Sequence, residues 1–281
     1  MLQPTVSVST LEVPGATVYF EVQGSGPTLM LIPGGPQDAG VFSDLASQLA
    51  HQFTVISYDP RGNSRSVVER ELTVQRVEEH ADDAAALLRS LNLGPAHVFG
   101  TSGGGQIGFD LVARYPELVR SYLAHEPACT MMLDDPSKAI ADDQAVYDVY
   151  LRDGVDAAMQ KFFGEHGLGD DEGEGGAPEF EPSPEEMETF MRVSGNFEHF
   201  LAHGLMPLSL YEPNVAALKA SNVPVRVGLG KESAGQIIYE IGLACADKLG
   251  TTPVMFPGDH IGFGMHAEEF ARTLSQTISE P

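Results

Sequence analysis

The chain has 281 residues, with 16 Lys and Arg against 40 Asp and Glu, a formal charge of −24 at neutral pH. That balance argues against nucleic acid or an anionic membrane surface as partner, because phosphates would be repelled. Its length suits one α/β core carrying an insertion, large enough to bury its own core, and two cysteines, Cys129 and Cys245, form no disulfide framework or metal-ligand cluster. Both are read as buried small hydrophobes.

The stretch Met1–Thr10 has neither a basic nor an apolar targeting segment, and no run reaches the roughly 18 apolar residues of a membrane span. A cytoplasmic protein is expected. Apolar runs bounded by turn residues predict strands at Thr17–Val22, Thr28–Ile32, Thr54–Tyr58, His97–Phe99, Ser121–Ala124, Val225–Leu229 and Pro253–Phe256. Val77, Ala81, Ala84, Leu87, Leu88 and Leu91 recur at helical spacing, so Val74–Leu91 is predicted as a helix that stops before Gly94-Pro95. A second helix is expected from Ser233, as N-cap, to Leu249, with Gly250 just past its end, and a last one from His266 to Ile278. Strands alternating with helices predict an α/β fold with a mainly parallel central sheet and helices on both faces.

From Ala128 to Leu218 the strand alternation stops. This segment, 128–218, is expected to be a helical cap on a core built from 1–127 and 219–281. Within it, 164–188 is rich in Gly, Pro, Asp and Glu, with no basic residue between Lys161 and Arg192, the composition of a solvated mobile loop. A calcium site is the sharper alternative for such carboxylates, although the spacing is not that of an EF-hand. Cap residues such as Met131, Met159, Phe162, Phe163, Phe190, Phe197, Phe200, Leu205 and Met206 suggest an apolar, adaptable cavity.

Chemistry concentrates at Gly100-Thr-Ser-Gly-Gly104, which sits between the run at His97–Phe99 and a helix-patterned stretch. A G-x-S-x-G core in that order is the nucleophile elbow, a tight strand-to-helix turn that exposes a serine hydroxyl above a parallel sheet. Gly100 and Gly104 relieve crowding at such a turn. A serine hydroxyl is a poor nucleophile at neutral pH, so Ser102 needs a base within hydrogen-bond reach and a third group to hold that base. His260, just beyond the Pro253–Phe256 strand, is the candidate base, because loops at the carboxyl ends of the strands converge on one edge. His97 and His125 are second choices.

Four motifs, Ile32-Pro-Gly-Gly-Pro36, Tyr58-Asp-Pro-Arg-Gly-Asn-Ser64, the elbow at Ser102 and Pro257-Gly-Asp-His260, together resemble the α/β-hydrolase superfamily over nearly the whole chain. Pro33 stands where that family usually has His. The resemblance implies an oxyanion hole made by the backbone N–H groups of Gly35 and Gly103, with Asp59 and Arg61 tying loops together at the sheet edge. In the commoner family arrangement the triad acid follows the strand at Val225–Leu229, where this chain has Ser233 in the expected place and Glu232 beside it. Another family position follows the preceding core strand, at Ala124-His-Glu-Pro-Ala128. Glu126 is therefore preferred as the acid over Glu232, and Asp259, adjacent to the base, ranks last.

The His125-Glu-Pro127 signature after the elbow is similar to that of the zearalenone-type lactonases, hydrolases of macrocyclic resorcylic lactones with a Ser-His-Glu triad. This resemblance implies Ser102 as nucleophile, His260 as base, Glu126 as acid, and no metal or organic cofactor. Those lactonases set a cap tryptophan against their substrate, and this chain has no Trp. The expected activity is hydrolysis of a small hydrophobic ester or lactone through an acyl-enzyme. A carbon–carbon bond hydrolase or peptidase on the same triad, or a slow-turnover ligand receptor, is the alternative, and a homodimer is possible.

Overall fold

The computed structural model describes residues 5–69, 74–165 and 183–279. Its strands are β1 (Ser7–Val13), β2 (Ala16–Gly24), β3 (Thr28–Ile32), β4 (Thr54–Tyr58), β5 (Val67–Val68), β6 (Ala96–Thr101), β7 (Val119–His125), β8 (Val225–Gly230) and β9 (Val254–Phe256). They form one sheet in the order β1-β2-β4-β3-β6-β7-β8-β9, with β5 against β2. Pairing is parallel from β4 across to β9, and antiparallel where β2 meets β1, β4 and β5. The chain passes outward from β3 to β4 and then returns across β3 to lay down β6. Such a reversal opens a crevice at the carboxyl ends of the two strands beside it, where open α/β sheets bind ligands.

Core helices are α1 (Ser43–Leu49), α2 (Val77–Leu91) and α3 (Gly103–Arg114). Between β7 and β8 the chain is helical: α4 (Ser137–Asp153), α5 (Val155–Glu165), α6 (Pro184–Gly195), α7 (Phe197–His199), a π-turn (Phe200–Gly204), α8 (Leu205–Ser209) and α9 (Val215–Ala220). Then follow α10 (Ile237–Leu249), α11 (Gly262–Met265) and α12 (Ala267–Ser279). The position 218 expected to end the cap falls inside α9, which packs against α3 and α10.

Period-two alternation divides the strand side chains between two apolar layers. Leu29, Leu31, Phe99, Leu123 and Phe256 pack with Leu45 and Leu49 of α1 and Phe270 and Leu274 of α12. Met30, Ile32, Val98, Tyr122, Ala124 and Val227 face the other way, onto α2, α3 and α10. Since β3 is buried on both faces it reads as a continuous apolar run, as parallel strands do.

Several boundaries differ from those expected of the sequence. β1 was not foreseen; its side chains are mostly exposed, and it is held by pairing with β2 across Pro14-Gly15, where Gly15 has φ 77°. Ser233 does not cap α10. It is buried in a turn that accepts from the Gln236 N–H at 3.0 Å, and Gln236 is the N-cap. Of the acidic stretch 164–188, residues 166–182 lie outside the described residues; 164 and 165 belong to α5, Ser183 is the N-cap of α6, and 184–188 belong to α6. Ser183 opens α6 with a reciprocal capping box to Glu186, so local capping there outweighs loop-like composition.

Candidate active site

Ser102 stands at the carboxyl end of β6 in a conformation L-residues rarely adopt, φ 54° and ψ −124°. The turn holds it there: its N–H donates to His125 O at 3.1 Å, and its carbonyl accepts from Gly105 N at 2.9 Å and Ala128 N at 3.1 Å. Its hydroxyl does not cap α3, so the side chain remains available to the crevice. Close approach explains the surrounding glycines. A Cβ on Gly34 would lie 2.6 Å from the Ser102 Cβ, and one on Gly104 would press into Ile32 O.

Glu126, one residue beyond β7, is also left-handed, with φ 39°. Its Oε2 meets His260 Nδ1 at 2.8 Å, and its Oε1 accepts from the Gly230 N–H at 2.8 Å. Both side chains are buried. Burial alone would raise the Glu126 pKa, but the His260 hydrogen bond, the neighbouring His125 and the Gly230 N–H hold it below the ordinary carboxylate value. With Nδ1 engaged, the Nε2 side of His260 is left for the cavity that His260 and Ser102 both line. The structure thus brings Glu126, not Glu232, to the histidine. Glu232 is exposed, and its N–H donates to Gly258 O at 3.0 Å. Asp259 turns back to the Ile261 N–H at 2.9 Å.

His125 lies behind the pair. It is fully buried, bonded through Nδ1 to Thr101 Oγ1 at 3.1 Å, and its ring is stacked against His260 at 6.3 Å between centroids. Burial lowers its pKa to about 4, which keeps it neutral at pH 7. His97 is bonded to Ser121 at the opposite end of the strands.

Gly35 follows β3 with φ 43°, and a Cβ on Gly103 would sit 3.1 Å from Gly35 N, so the two peptides adjoin. Asn63, which the sequence reading passed over, fixes this loop: its Nδ2 donates to Gly35 O at 3.0 Å and to Gln37 O at 2.9 Å. Asp59 accepts from the Ala39 N–H and binds the Arg65 guanidinium through both oxygens, and Arg61 pairs with Asp83. Those acid and guanidinium groups tie loops at the sheet edge.

Above Ser102 lies a cavity of about 290 Å³ lined by Gly35, Gly103 and His260 and roofed by Phe162, Phe200, Leu205 and Leu208 of the segment between β7 and β8. Phe163, Phe190 and Phe197 also line it, whereas Met159 is packed in the core. Asn196 pins the roof by accepting from the Ser64 N–H at 2.8 Å and donating to Pro36 O at 2.8 Å. Asp143 and Ser209, which the sequence reading did not single out, also line the cavity. Among the described residues no group of three or more His, Cys, Asp or Glu could hold a metal, and no helix is long and apolar enough to cross a membrane.

A strand order reversing beside β3 and a strand–Ser102–helix turn on its carboxyl edge define an α/β-hydrolase fold. The alpha/beta hydrolase fold family model matches residues 27–165, and the chain belongs to that family. It is 33% identical over 98% of its length to the uncharacterized hydrolase YraK of Bacillus subtilis (strain 168), covering 97% of that protein. A zearalenone hydrolase of Bionectria ochroleuca is 26% identical, over 97% of this chain and 98% of that one. Among solved structures, a thermophilic esterase from Thermogutta terrifontis superposes with a TM-score of 0.73 at 21% identity, over 99% of this chain and 98% of that one.

Proposed function

We propose that the protein is a serine hydrolase that opens a hydrophobic carboxylic ester or lactone through an acyl-enzyme. The observation that carries this reading is the 2.8 Å contact of Glu126 with His260 Nδ1, which leaves the other ring nitrogen for the cavity it shares with Ser102. Ser102 Oγ attacks the carbonyl carbon while His260 Nε2 takes its proton, and the carbonyl π pair moves onto oxygen. The Gly35 and Gly103 N–H groups hold that oxyanion, a contribution of about 2.7–4 kcal/mol for each donor. Glu126 keeps the imidazole in the tautomer with Nδ1 protonated and steadies the imidazolium. The alkoxide leaves with the proton from His260, and water, deprotonated by the same nitrogen, releases the acid and restores Ser102. The apolar roof supports a hydrophobic substrate, and similarity to a zearalenone hydrolase supports an ester or lactone bond.

A fluorophosphonate trap followed by peptide mapping tests the reading. The label is expected on Ser102 and is expected to be lost in Ser102→Ala, together with hydrolysis of p-nitrophenyl alkanoates. Labelling of another residue, or ester turnover undiminished in Ser102→Ala, overturns it.

A further inference from the structure

The loop that carries the proposed oxyanion donor has three successive carbonyls held by asparagine side chains. Asn63, 1% exposed, uses its two amide protons on Gly35 O at 3.0 Å and Gln37 O at 2.9 Å, and Asn196, 6% exposed, donates to the Pro36 O between them at 2.8 Å. The peptide that joins Gly34 to Gly35 is planar, so its N–H points opposite to its C=O. That carbonyl, Gly34 O, accepts from the Gln37 N–H at 2.9 Å. The direction of the Gly35 N–H is therefore set by where Pro36 and Gln37 are held.

The two asparagines come from different parts of the chain. Asn63 lies in the loop between β4 and β5, whereas Asn196 ends α6, with the cavity-lining Phe190 and Val193 before it and Phe197 and Phe200 after it. Asn196 also grips the residue next to Asn63: its Oδ1 accepts from the Ser64 N–H at 2.8 Å, and its Nδ2 donates to Ser64 Oγ at 2.9 Å. Ser64 has φ 48°, a conformation that a non-glycine residue keeps only where its surroundings impose it. One side chain of the roof thus holds the oxyanion loop directly at Pro36, and indirectly through the Ser64 backbone beside Asn63.

We infer that Asn196 is a positioning residue for the reaction, through which the seated roof sets the Gly35 N–H toward the developing oxyanion. The inference rests on the proposed hydrolase activity. Donors that stabilise a transition state act only if they are fixed beforehand, and a supporting group that fails to fix them costs rate without removing any contact to the substrate. The stretch that roofs the cavity and the clamp on the oxyanion loop are one continuous segment, so a roof out of place would leave Ser102 present and its oxyanion hole unaligned.

The test uses p-nitrophenyl butyrate and a matched pair of inhibitors, an alkyl trifluoromethyl ketone and the corresponding methyl ketone. Ser102 Oγ adds to the fluorinated carbonyl carbon, its proton passes to His260, and the carbonyl pair moves onto oxygen, giving a hemiketal oxyanion that needs the Gly35 N–H; the methyl ketone stays unattacked. Asn196→Ala is expected to lower kcat about 10–100-fold, as a displaced donor does, with KM within about twofold of the parent. It is expected to weaken the trifluoromethyl ketone by a similar factor and to leave the methyl ketone unchanged. A merely structural role, a loosened roof, would raise KM and weaken both ketones alike. Gly35→Ala combined with Asn196→Ala is expected to lose no more than Gly35→Ala alone, because both changes act on one N–H. Asn196→Asp keeps the acceptor for the Ser64 N–H without the donor to Pro36 O, is expected to fall in kcat with the Ala variant, and carries the test if that variant does not fold. A parent that neither turns over the ester nor forms the hemiketal sinks the hydrolase reading and this one with it. Parent turnover with kcat kept in Asn196→Ala or Asn196→Asp, a loss confined to KM, equal weakening of both ketones, or losses that multiply in the double variant overturns this assignment and leaves the hydrolase reading standing.

Discussion

Glu126 uses its two oxygens for two different donors, His260 Nδ1 at 2.8 Å and the Gly230 N–H at 2.8 Å. A glutamine in its place has one oxygen and one amide nitrogen, so it cannot accept from both. Either the peptide of Gly230 or the imidazole loses its acceptor. Glu126→Gln is therefore expected to lower kcat for an ester by about 10³–10⁴-fold, the scale on which a wrongly held imidazole tautomer acts. Exposed Glu232 makes no such contact with the histidine, and Glu232→Gln is expected to match the parent. Steady-state rates of the two variants decide the matter, and an unimpaired Glu126→Gln would remove Glu126 from the mechanism.

Ser102 occupies φ 54° and ψ −124°, where a Cβ is crowded. Such a conformation stores about 1–3 kcal/mol, held in place by the surrounding turn. Glycine relieves it, less about 0.5–1 kcal/mol for the greater freedom of the unfolded chain. Ser102→Gly is thus expected to be about 1 kcal/mol more stable than Ser102→Ala, while both are inactive. Thermal melts should place the Gly variant about 2 °C above the Ala variant. Equal melting points would mean that the turn is relaxed.

Gly35 and Gly104 are both glycines beside Ser102, but their substitution should fail in different ways. A Cβ on Gly35 meets Phe200 Cε2 at 3.4 Å, a contact that can be accommodated, so the penalty is the φ of 43° and a shifted N–H. Gly35→Ala is expected to fold and to lose about 10²–10³-fold in kcat, with KM changed little. A Cβ on Gly104 would press into the backbone oxygens of Ile32 and Pro33, which cannot swing aside as a flexible side chain does. Gly104→Ala is expected to give little soluble protein. Circular dichroism alongside kinetics separates the two, and a well-folded, fully active Gly35→Ala would exclude its N–H from holding the oxyanion.

Much of this architecture was legible because short buried strands announce themselves. Thr28–Ile32 ends directly at Pro33 and Thr54–Tyr58 with one residue between it and Pro60, and the bounds expected of the sequence match both strands. Glu126 was legible through the family resemblance, which points to the end of β7 as one place for the acid, and the topology fits it: β6 and β7 are adjacent parallel strands, so residues just past their ends meet on one edge. What escaped notice depends on contacts that local sequence does not encode. β1 has no buried face to impose a pattern, and Asn63 acts through two backbone carbonyls of another loop. Asp143 did leave a trace. It falls on the buried stripe of α4 with Ala139 and Val146, at helical spacing, and an acid on such a stripe marks either an ion pair or a site. Its partner Ser209 is 66 residues away, and no spacing rule connects them.

Two buried imidazoles should make the fold acid-sensitive well above the carboxylate range. Burial lowers the pKa of His125 to about 4 and that of His80 to about 3, each from 6.5. With the folded pKa below the unfolded one, the unfolded chain binds protons that the folded chain refuses. Stability is therefore full above about pH 6.5 and falls as pH is lowered towards each folded value, by about 1.4 kcal/mol per pH unit for each histidine. At about pH 5 the two together amount to about 4 kcal/mol. Glu126 acts later, because its pKa is lowered and its contribution is lost only as pH drops through that lowered value. Urea unfolding at about pH 7 and pH 5 should show this loss, and His80→Gln, which cannot take up a proton in this range, should roughly halve it. A difference between the two pH values that is the same in His80→Gln as in the parent would mean that His80 is protonated within the fold.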